Sequence, residues 1–346
     1  MISNEVLPVQ YKFAGKSIGC FFDADFSLVK NMLQKDTTVF ITDENIYAAH
    51  SEKFSGWQTI VIKAGESFKN QQTVDFVVSQ LIDLHADRQT FIVGVGGGVV
   101  TDIAGFVASV YMRGLKFAFV PTSILAMVDA SIGGKNGVDV GVYKNIVGVI
   151  NHPEFLLYDY SFLETLPDRE WVNGFAEIIK HACIRDAEMF YFLEEYSLIN
   201  FQSSLTDTAA IIKRNVDIKY EVVSGDEHEA GERKLLNFGH TIGHAIENAG
   251  HLSHGHAISI GMAAACRISE EVNNFAEEET KRVTGLLTRY ELPVVFTSDK
   301  QKTWEILQHD KKKSGSNMSF IVLDTIGKAS VKSISLDHLH KIFNNI

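Results

Sequence analysis

Residues 89–114 read QTFIVGVGGGVVTDIAGFVASVYMRG, and this stretch contains the pattern that decides the fold class. The segment FIVGV is a short, continuous apolar run of the kind that forms a strand buried on both faces. Three glycines, Gly96–Gly98, follow it, and residues 101–114 have the apolar spacing of a helix. A strand that ends in glycines and leads into a helix is typical of a parallel, doubly wound sheet.

The segments on either side repeat this alternation. Strands ending in polar residues are predicted at 37–46 (TTVFITDENI), 59–66 (TIVIKAGE) and 116–123 (KFAFVPTS), with a helix at 73–87. From about residue 163 the apolar residues recur at helical spacing, apart from a possible strand near MSFIVLD. We therefore expect an α/β domain with a doubly wound, mostly parallel sheet over residues 1–160, and a mainly α-helical domain over residues 161–346.

Composition excludes several classes of protein. The formal net charge of −11 disfavours a nucleic-acid partner, although basic residues recur in the motif-bearing segments and favour a local pocket for a small anion. The longest apolar run, FIVGVGGGVV, is too short and glycine-rich to span a membrane, and the N-terminus has no signal-peptide pattern. The three cysteines are widely separated, which fits buried thiols in a reducing cytoplasm. We expect a cytoplasmic protein without a nucleic-acid or membrane partner.

The glycine segment GVGGGVVTD has two interpretations. Glycines between a strand and a helix let the backbone approach a pyrophosphate, and the helix N-terminus offers unpaired N–H groups to it. The run is not a regular GxGxxG, so a tight turn without a ligand is an alternative. The segment TDEN at an earlier strand end could supply an acidic group to a ribose hydroxyl. We favour a Rossmann-like domain that binds a dinucleotide.

Three helical segments concentrate metal-ligating and proton-moving side chains. In NGFAEIIKHA, Glu177 and Lys180 share a helix face, which an exposed ion pair would also explain. In LNFGHTIGHAIE, His240 and His244 have the i,i+4 spacing of paired metal ligands, or of two hydrogen-bonded core histidines. The segment LSHGHAISIGM adds two more histidines around a glycine. Spacing favours His240 and His244 as ligands with a third from this last segment, and leaves Glu177 open.

At these residues the chain resembles the 3-dehydroquinate synthase family of sugar-phosphate cyclases. The resemblance covers nearly the whole chain in the family's order. It includes TDEN, AGESFK, GGGVVTDIAGFVASVYMRG, VPTSILAMVDASIGGKNGVD, KNIVG, LPDREWVNGFAEIIKHA, KYEVVSGDEHEAGERKLLNFGHTIGHAIE, SHGHA and HDKKKSG. The combination is highly specific, although no single segment would be.

The resemblance implies an NAD-binding α/β domain, a helical metal- and substrate-binding domain, and a set of site residues. The implied ligands of a zinc or cobalt ion are Glu177, His240 and His254. The implied NAD contacts are Asp43, Asn45, Glu66, Lys69, Gly97, Gly98, Asp102, Thr122, Ser123, Lys135, Lys144, Phe162 and Thr165. The implied substrate-binding and catalytic residues are Arg113, Asp129, Lys135, Asn145, Lys180, Lys219, Arg233, Asn237, His244 and Lys312.

The implied substrate is an acidic sugar phosphate, 3-deoxy-D-arabino-heptulosonate 7-phosphate. The implied reaction is alcohol oxidation by NAD+, loss of phosphate, reduction, ring opening and aldol closure, with His244 moving a proton and no net redox change. Arg113 matches an arginine that reaches the phosphate of a second subunit, which implies a homodimer. The chain has HGH where the family commonly has HGE, so His256 is an alternative ligand to His254. Another sugar-phosphate cyclase and a metal-dependent polyol dehydrogenase are the rival functions.

Overall fold

The computed structural model describes residues 7–141, 143–250, 252–296, 299–308, 313–314 and 316–345. These residues divide into two compact units. The first comprises the chain through Pro167 together with Ala209–Tyr220, and the second comprises Asp168–Thr208 together with Glu221 onward. Within the described residues, every helix is too short or too polar to cross a lipid bilayer.

The first unit is built on a mostly parallel sheet. The strands of this unit are β1 (Val9–Lys12), β2 (Ser17–Phe21), β3 (Thr38–Asp43), β4 (Gln58–Ile62), β5 (Phe91–Gly96), β6 (Lys116–Pro121), β7 (Lys135–Val140), β8 (Tyr143–Ile150) and β9 (Phe155–Leu157). The sheet has the order β1-β2-β9-β6-β5-β3-β4, with parallel pairs throughout except for the antiparallel pair of β1 with β2. The predicted doubly wound fold class is confirmed.

Helices connect these strands and cover the sheet. They are α1 (Ser27–Met32), α2 (Glu44–Ala49), α3 (Ser51–Phe54), α4 (Gln71–Asp83) and α5 (Gly98–Val110). After β3 the chain continues to β4, at the edge of the sheet next to β3. After β5 it continues to β6, on the opposite side of the β3–β5 pair. Because adjacent β3 and β5 send their chains in opposite directions, a crevice opens at their carboxyl ends, where open α/β sheets bind ligands. Asp43 and Gly96–Gly98 lie there.

The second unit is mainly helical, as predicted, with a small sheet. Its helices are α6 (Asp168–Arg185), α7 (Ala187–Glu195), α8 (Leu198–Ser203), the ends of α9 (Leu205–Ser224), α10 (His240–Gly250), α11 (His254–Asn273), α12 (Glu277–Arg289), α13 (Lys300–Gln308) and α14 (Leu336–Asn345). The antiparallel strands β10 (Lys313–Ser314), β11 (Asn317–Thr325) and β12 (Lys328–Ser335) form the sheet. Strand β11 contains the predicted MSFIVLD segment.

Two helices of the second unit are buried along most of their length. The described side chains from Trp171 to Ile184 in α6 are all buried, and α11 is buried almost continuously from Gly255 to Ser269. A helix that is buried all round is expected to be apolar all round. Both helices nevertheless bear charged or imidazole side chains, so those groups require partners inside the unit.

Candidate active site

Glu177 is a buried charge at the centre of the second unit. Its side chain is 0% exposed, and it forms an ion pair with Lys180, one helical turn later on α6 and 1% exposed. Burial alone would raise the pKa of Glu177, but Lys180 and the two nearby histidines hold it well below its usual range. Since an isolated buried carboxylate would be very unfavourable, Lys180 is needed to keep Glu177 ionised.

His240 presents one ring nitrogen to Glu177 and uses the other as an anchor. Its Nε2 lies 3.5 Å from Glu177 Oε1, while its Nδ1 donates to the carbonyl oxygen of Phe238 at 3.1 Å. Burial lowers the pKa of His240 to about 3, so the ring is neutral near pH 7. A neutral imidazole that donates through Nδ1 has a free lone pair on Nε2, which is the form that binds a metal ion.

His254 approaches the same carboxylate from the first residue of α11. Its Nε2 lies 3.2 Å from Glu177 Oε1, a contact between residues 77 positions apart in the chain. The adjacent Gly255 donates its backbone N–H to the side chain of Asn173 on α6, which fixes the start of α11 against α6. A Cβ at Gly255 would lie 2.6 Å from the Asn173 carbonyl oxygen, so this approach requires glycine.

Close packing of α10 against α11 brings the two histidines together. A Cβ at Gly243 would lie 3.0 Å from the carbonyl oxygen of Ala257, and one at Gly261 would overlap the carbonyl oxygen of Gly239. Gly239 has φ +78°, a left-handed conformation that turns the chain immediately before His240. Small residues at a helix crossing permit the backbones to approach closely, and the two imidazole rings are consequently 5.5 Å apart.

The donor set fits a divalent metal ion. One ligand atom from each of Glu177, His240 and His254 lies within 4.8 Å of the others. Two imidazole nitrogens and one carboxylate oxygen suit zinc or cobalt, and a three-ligand set leaves a coordination position for a substrate oxygen. The structure thus groups His240 with His254 and Glu177. His244, which spacing had favoured as a ligand, belongs to a second group with Glu247 and His254.

A loop after α9 anchors two more predicted residues of the second unit. The Asp226 carboxylate accepts the backbone N–H groups of Ala230, Gly231 and Arg233 at 2.7–3.0 Å. Arg233 is 3% exposed and donates from its guanidinium to the carbonyl oxygen of Glu227. Asn237 donates its amide to the Glu229 carboxylate. The loop therefore fixes a buried cation beside a hydrogen-bonding amide.

The glycine loop of the first unit exposes its backbone. Gly97 begins the first turn of α5 with φ −72°, and the N–H groups of that turn are not capped by any described side chain. A Cβ at Gly97 would make only an ordinary 3.4 Å contact with Ser123 Oγ, so neither backbone conformation nor packing requires glycine here. An uncapped helix N-terminus beside a residue without a side chain suits close approach by an anionic ligand.

Charged side chains surround this loop. Lys69 and Asp102 form a buried ion pair, and Lys144 lies 3.4 Å from Glu66. Burial raises the pKa of Asp102 to about 6, although Lys69 opposes the shift. The Asp43 carboxylate caps α2 by accepting the backbone N–H groups of Asn45 and Ile46 through Oδ1 at 2.9 and 3.0 Å.

The other predicted residues of this unit have varied surroundings. Thr122 donates its backbone N–H to the carbonyl oxygen of Gly96 in the glycine loop. Elsewhere in the unit, Lys219 donates from Nζ to the carbonyl and carboxylate oxygens of Asp129 at 2.5 and 2.7 Å. Phe162 is fully buried in the core, so it can reach a ligand only through its backbone. The exposed members are Asn45, Glu66, Arg113, Lys135, Asn145 and Thr165. Lys312 lies outside the described residues.

Three residues beside the predicted set were not identified from the sequence. Asn173 anchors Gly255, Glu229 accepts from Asn237, and Glu247 lies near His254. For Glu247 a signal existed, since it follows His240 and His244 on one face at i, i+4 and i+7. The other two make contacts across loops or between helices, for which spacing gives no indication.

Two solved structures share this architecture. A 2-deoxy-scyllo-inosose synthase complexed with carbaglucose-6-phosphate, NAD+ and Co2+ is 26% identical, with a TM-score of 0.85 over 98% of this chain and 99% of its own. The 2-epi-5-epi-valiolone synthase of Streptomyces hygroscopicus, with NAD+ and Zn2+ bound, is 26% identical, with a TM-score of 0.86 over 96% and 97%. The fold is that of the sugar-phosphate cyclases.

Sequence comparison identifies the family within that class. The 3-dehydroquinate synthase N-terminal model matches residues 59–173, and the C-terminal model matches residues 174–313. A 3-dehydroquinate synthase of Nitrosospira multiformis is 39% identical over 319 residues, covering 88% of this chain and 86% of its own length. This chain belongs to the 3-dehydroquinate synthase family.

Proposed function

We propose that the protein is a 3-dehydroquinate synthase, a lyase that converts 3-deoxy-D-arabino-heptulosonate 7-phosphate into 3-dehydroquinate and phosphate. The observation that carries this proposal is the meeting of His240 Nε2 and His254 Nε2 at one buried carboxylate oxygen of Glu177, in a chain of this family. The product would feed the shikimate pathway of aromatic amino acid biosynthesis. The proposed division of labour is NAD binding by residues 1–160 and metal and substrate binding by residues 161–346.

We assign Glu177, His240 and His254 as the ligands of a zinc or cobalt ion. Such an ion, when bound, polarises a substrate oxygen and favours loss of its proton. Lys180 keeps Glu177 ionised, and the carbonyl of Phe238 holds His240 in the tautomer that leaves Nε2 free. The solved inosose and valiolone synthases were obtained with Co2+ and Zn2+, which supports either ion.

We assign NAD+ to the crevice beside the glycine loop, where it would accept and later return a hydride. The backbone at Gly97 and Gly98 would face the pyrophosphate, and Asp43 has a second carboxylate oxygen to offer a ribose hydroxyl beyond the one that caps α2. The remaining proposed contacts are Asn45, Glu66, Lys69, Asp102, Thr122, Ser123, Lys135, Lys144, Phe162 and Thr165. NAD+ bound to both solved synthases supports this assignment.

The substrate carries a carboxylate and a phosphate, and the chain supplies cations and amides for them. Arg233 is held by its loop with its guanidinium buried, so it can form strong charge-assisted bonds to an anion. Lys219 is positioned by Asp129. His244 is assigned to move a proton, since its ring lies 5.1 Å from that of His240. The other proposed substrate contacts are Lys135, Asn145, Lys180, Asn237 and Lys312.

We further propose a cytoplasmic homodimer in which Arg113 reaches the phosphate held by a second copy of the chain. Arg113 is exposed, so its side chain is available to a second copy of the chain. A small anionic sugar phosphate is the proposed partner of the site, without nucleic acid or membrane. Sedimentation of the purified protein tests the dimer, and a monomer with full activity would contradict the role of Arg113.

A related cyclase making an inosose or a valiolone is the second candidate. The 26% identity to solved synthases of those types supports it less than the 39% identity to a 3-dehydroquinate synthase. Asn237 and the lysines of HDKKKSG also favour the shikimate substrate, since they match the family's substrate contacts. Product analysis after incubation with the heptulosonate phosphate separates the candidates, because formation of dehydroquinate identifies a 3-dehydroquinate synthase and absence of any product from this substrate would favour the related cyclase.

The decisive experiment is incubation of enzyme, NAD+, Zn2+ and heptulosonate phosphate. We expect phosphate and dehydroquinate in equal amounts and no accumulating NADH, because the hydride returns within each turnover. Steady NADH production from glycerol would instead identify a polyol dehydrogenase. Arg233→Ala serves as the matched variant, with weakened substrate binding and retained NAD+ affinity. Loss of NAD+ affinity alone would contradict the substrate role of Arg233.

A further inference from the structure

The two imidazoles that face Glu177 are held differently at their second ring nitrogens. His240 donates from Nδ1 to a backbone carbonyl oxygen, that of Phe238, at 3.1 Å. His254 has its Nδ1 3.8 Å from the carboxylate oxygen Oε2 of Glu247. The ring of His240 is therefore oriented by a backbone carbonyl. The group next to Nδ1 of His254 is the side chain of Glu247, which can be altered by substitution.

Glu247 is a nearly buried carboxylate beside this cluster. It follows His240 and His244 at i, i+4 and i+7, so all three side chains project from one face of α10. Its side chain is only 7% exposed, although a glutamate is normally solvated. Its carboxylate lies within 4.8 Å of ring nitrogens of both His244 and His254. The carboxylate is thus directed into the histidine cluster.

We propose that Glu247 is a positioning residue that accepts the Nδ1 proton of His254 and so directs Nε2 of that imidazole to the metal ion. This inference rests on the proposed function, since it assumes that His254 is a ligand. Carboxylates commonly accept the second N–H of a ligating histidine, which fixes the ring and raises its basicity. Nδ1 of His254 and Oε2 of Glu247 are 3.8 Å apart, and a shortening of this distance by less than 1 Å would make a normal hydrogen bond.

The same geometry argues for His254 over His256 as the ligand. Nε2 of His254 already faces Glu177 at 3.2 Å, and Nδ1 already faces a second carboxylate. When a metal ion is bound, Nε2 must offer it a lone pair, so the single proton of the neutral imidazole is on Nδ1, where Glu247 can accept it. Glu247 would therefore select the tautomer of His254 that binds metal, as the Phe238 carbonyl does for His240.

The test is the affinity of the metal-free protein for Co2+, measured by chelator competition and by the visible spectrum of bound Co2+. We expect one ion per chain in the wild type. Glu247→Gln keeps an acceptor oxygen without the charge and should bind about 3- to 10-fold more weakly. Glu247→Leu removes the acceptor and should bind about 10- to 100-fold more weakly, with an altered Co2+ spectrum. Glu271→Gln, an exposed glutamate on α11, is the matched control and should match the wild type.

The outcomes separate this inference from the function on which it rests. Wild-type protein that binds no Co2+ would overturn both. Wild-type binding with unchanged affinity in Glu247→Gln or Glu247→Leu would overturn the positioning role alone. Equal losses in the two variants would also overturn it, since charge rather than an accepted hydrogen bond would then matter. Two ions in the wild type and one in the variants would make Glu247 a ligand of a second site. If Glu247→Leu does not fold, the isosteric Glu247→Gln decides.

Discussion

The glycine loop of the first unit and the ligand cluster of the second are built by opposite means. The loop is three consecutive glycines, namely the last residue of β5, Gly97 and the first residue of α5, and it offers backbone N–H groups at a helix N-terminus. The cluster combines a carboxylate and two imidazoles from α6, α10 and α11, all within 4.8 Å. In the proposed function, the loop would bind through its backbone because side chains are absent from it, whereas the cluster would bind a metal ion through side chains that are buried together.

This difference determines how each region responds to substitution. In the loop, separate N–H groups contribute separately, so a single change should weaken binding in part. In the cluster, the ion pair with Lys180 keeps the buried Glu177 ionised, and Glu177 faces both imidazoles, so the members depend on one another. We therefore expect near-complete loss of function from changes in the cluster and graded loss from changes in the loop.

Removing the shared carboxylate should have the largest effect. Glu177→Gln keeps the side-chain volume but removes the charge that faces both imidazoles, so we expect turnover to fall by about 10³-fold or more. Metal content measured by mass spectrometry should fall to near zero. Glu195 is exposed on α7, so Glu195→Gln is the control and should keep normal turnover and normal metal content. A folded Glu177→Gln protein with normal zinc content would contradict the ligand assignment.

Separating the two histidine-bearing helices should come next. In Gly261→Ala the new methyl group overlaps the carbonyl oxygen of Gly239, so α10 and α11 must move apart. We expect a loss of about 1 to 3 kcal/mol in the free energy of unfolding, together with weaker metal binding. Urea denaturation measures the first quantity and chelator competition the second.

A control for the helix crossing is available on α12. A Cβ at Gly285 meets nothing within 4 Å, so Gly285→Ala should stabilise the protein by about 0.5 to 1 kcal/mol. If Gly261→Ala had the same free energy of unfolding as Gly285→Ala, the close crossing of α10 and α11 would not constrain the ligand cluster.

The loop variant should have a smaller, selective effect. Gly97→Ala is compatible with φ −72° and makes only a 3.4 Å contact with Ser123, so the protein should fold with nearly unchanged stability. The methyl group would occupy the space needed by a pyrophosphate, and we expect NAD+ affinity to fall about tenfold, about 1.4 kcal/mol. Isothermal titration with NAD+ measures this, and unchanged affinity would exclude Gly97 from the phosphate site.

The smallest effect concerns the ion pair beside the loop. The pKa of Asp102 is raised to about 6, above the 3.8 of an unfolded chain, so its contribution to stability is complete below about pH 4 and is lost as the pH rises through 6. Relative to Asp102→Asn, the NAD-free wild type should lose about 1 kcal/mol between pH 4 and 6. The full shift corresponds to about 3 kcal/mol, but 14% of the side chain is exposed and solvent screens it. If the stability of the wild type relative to Asp102→Asn instead rose between pH 4 and 6, the pKa of Asp102 would be lowered on folding and not raised.

Local patterns were sufficient for the central strands of the first unit. The apolar runs that became β3, β5 and β6 end at polar residues or glycines within the next few positions, so strand, turn and helix could be read from adjacent residues. The hairpin of β7 and β8 was not predicted from its sequence, since β8 leaves Ile146 and Val147 exposed and lacks the usual alternation.

The sequence by itself determined the alternation of strands and helices, the place of the glycine loop and the family to which the chain belongs, because each depends on residues near one another or on matching segments. Residue spacing left the ligand set open, and only the family resemblance named Glu177, His240 and His254 together; the tertiary structure decided how these three meet, that Asn173 holds Gly255, and that Glu247 turns inward. Helical spacing reports neighbours on one helix and carries no information about which faces of different helices meet. Here that choice depends on the glycines at which α10 and α11 come into contact.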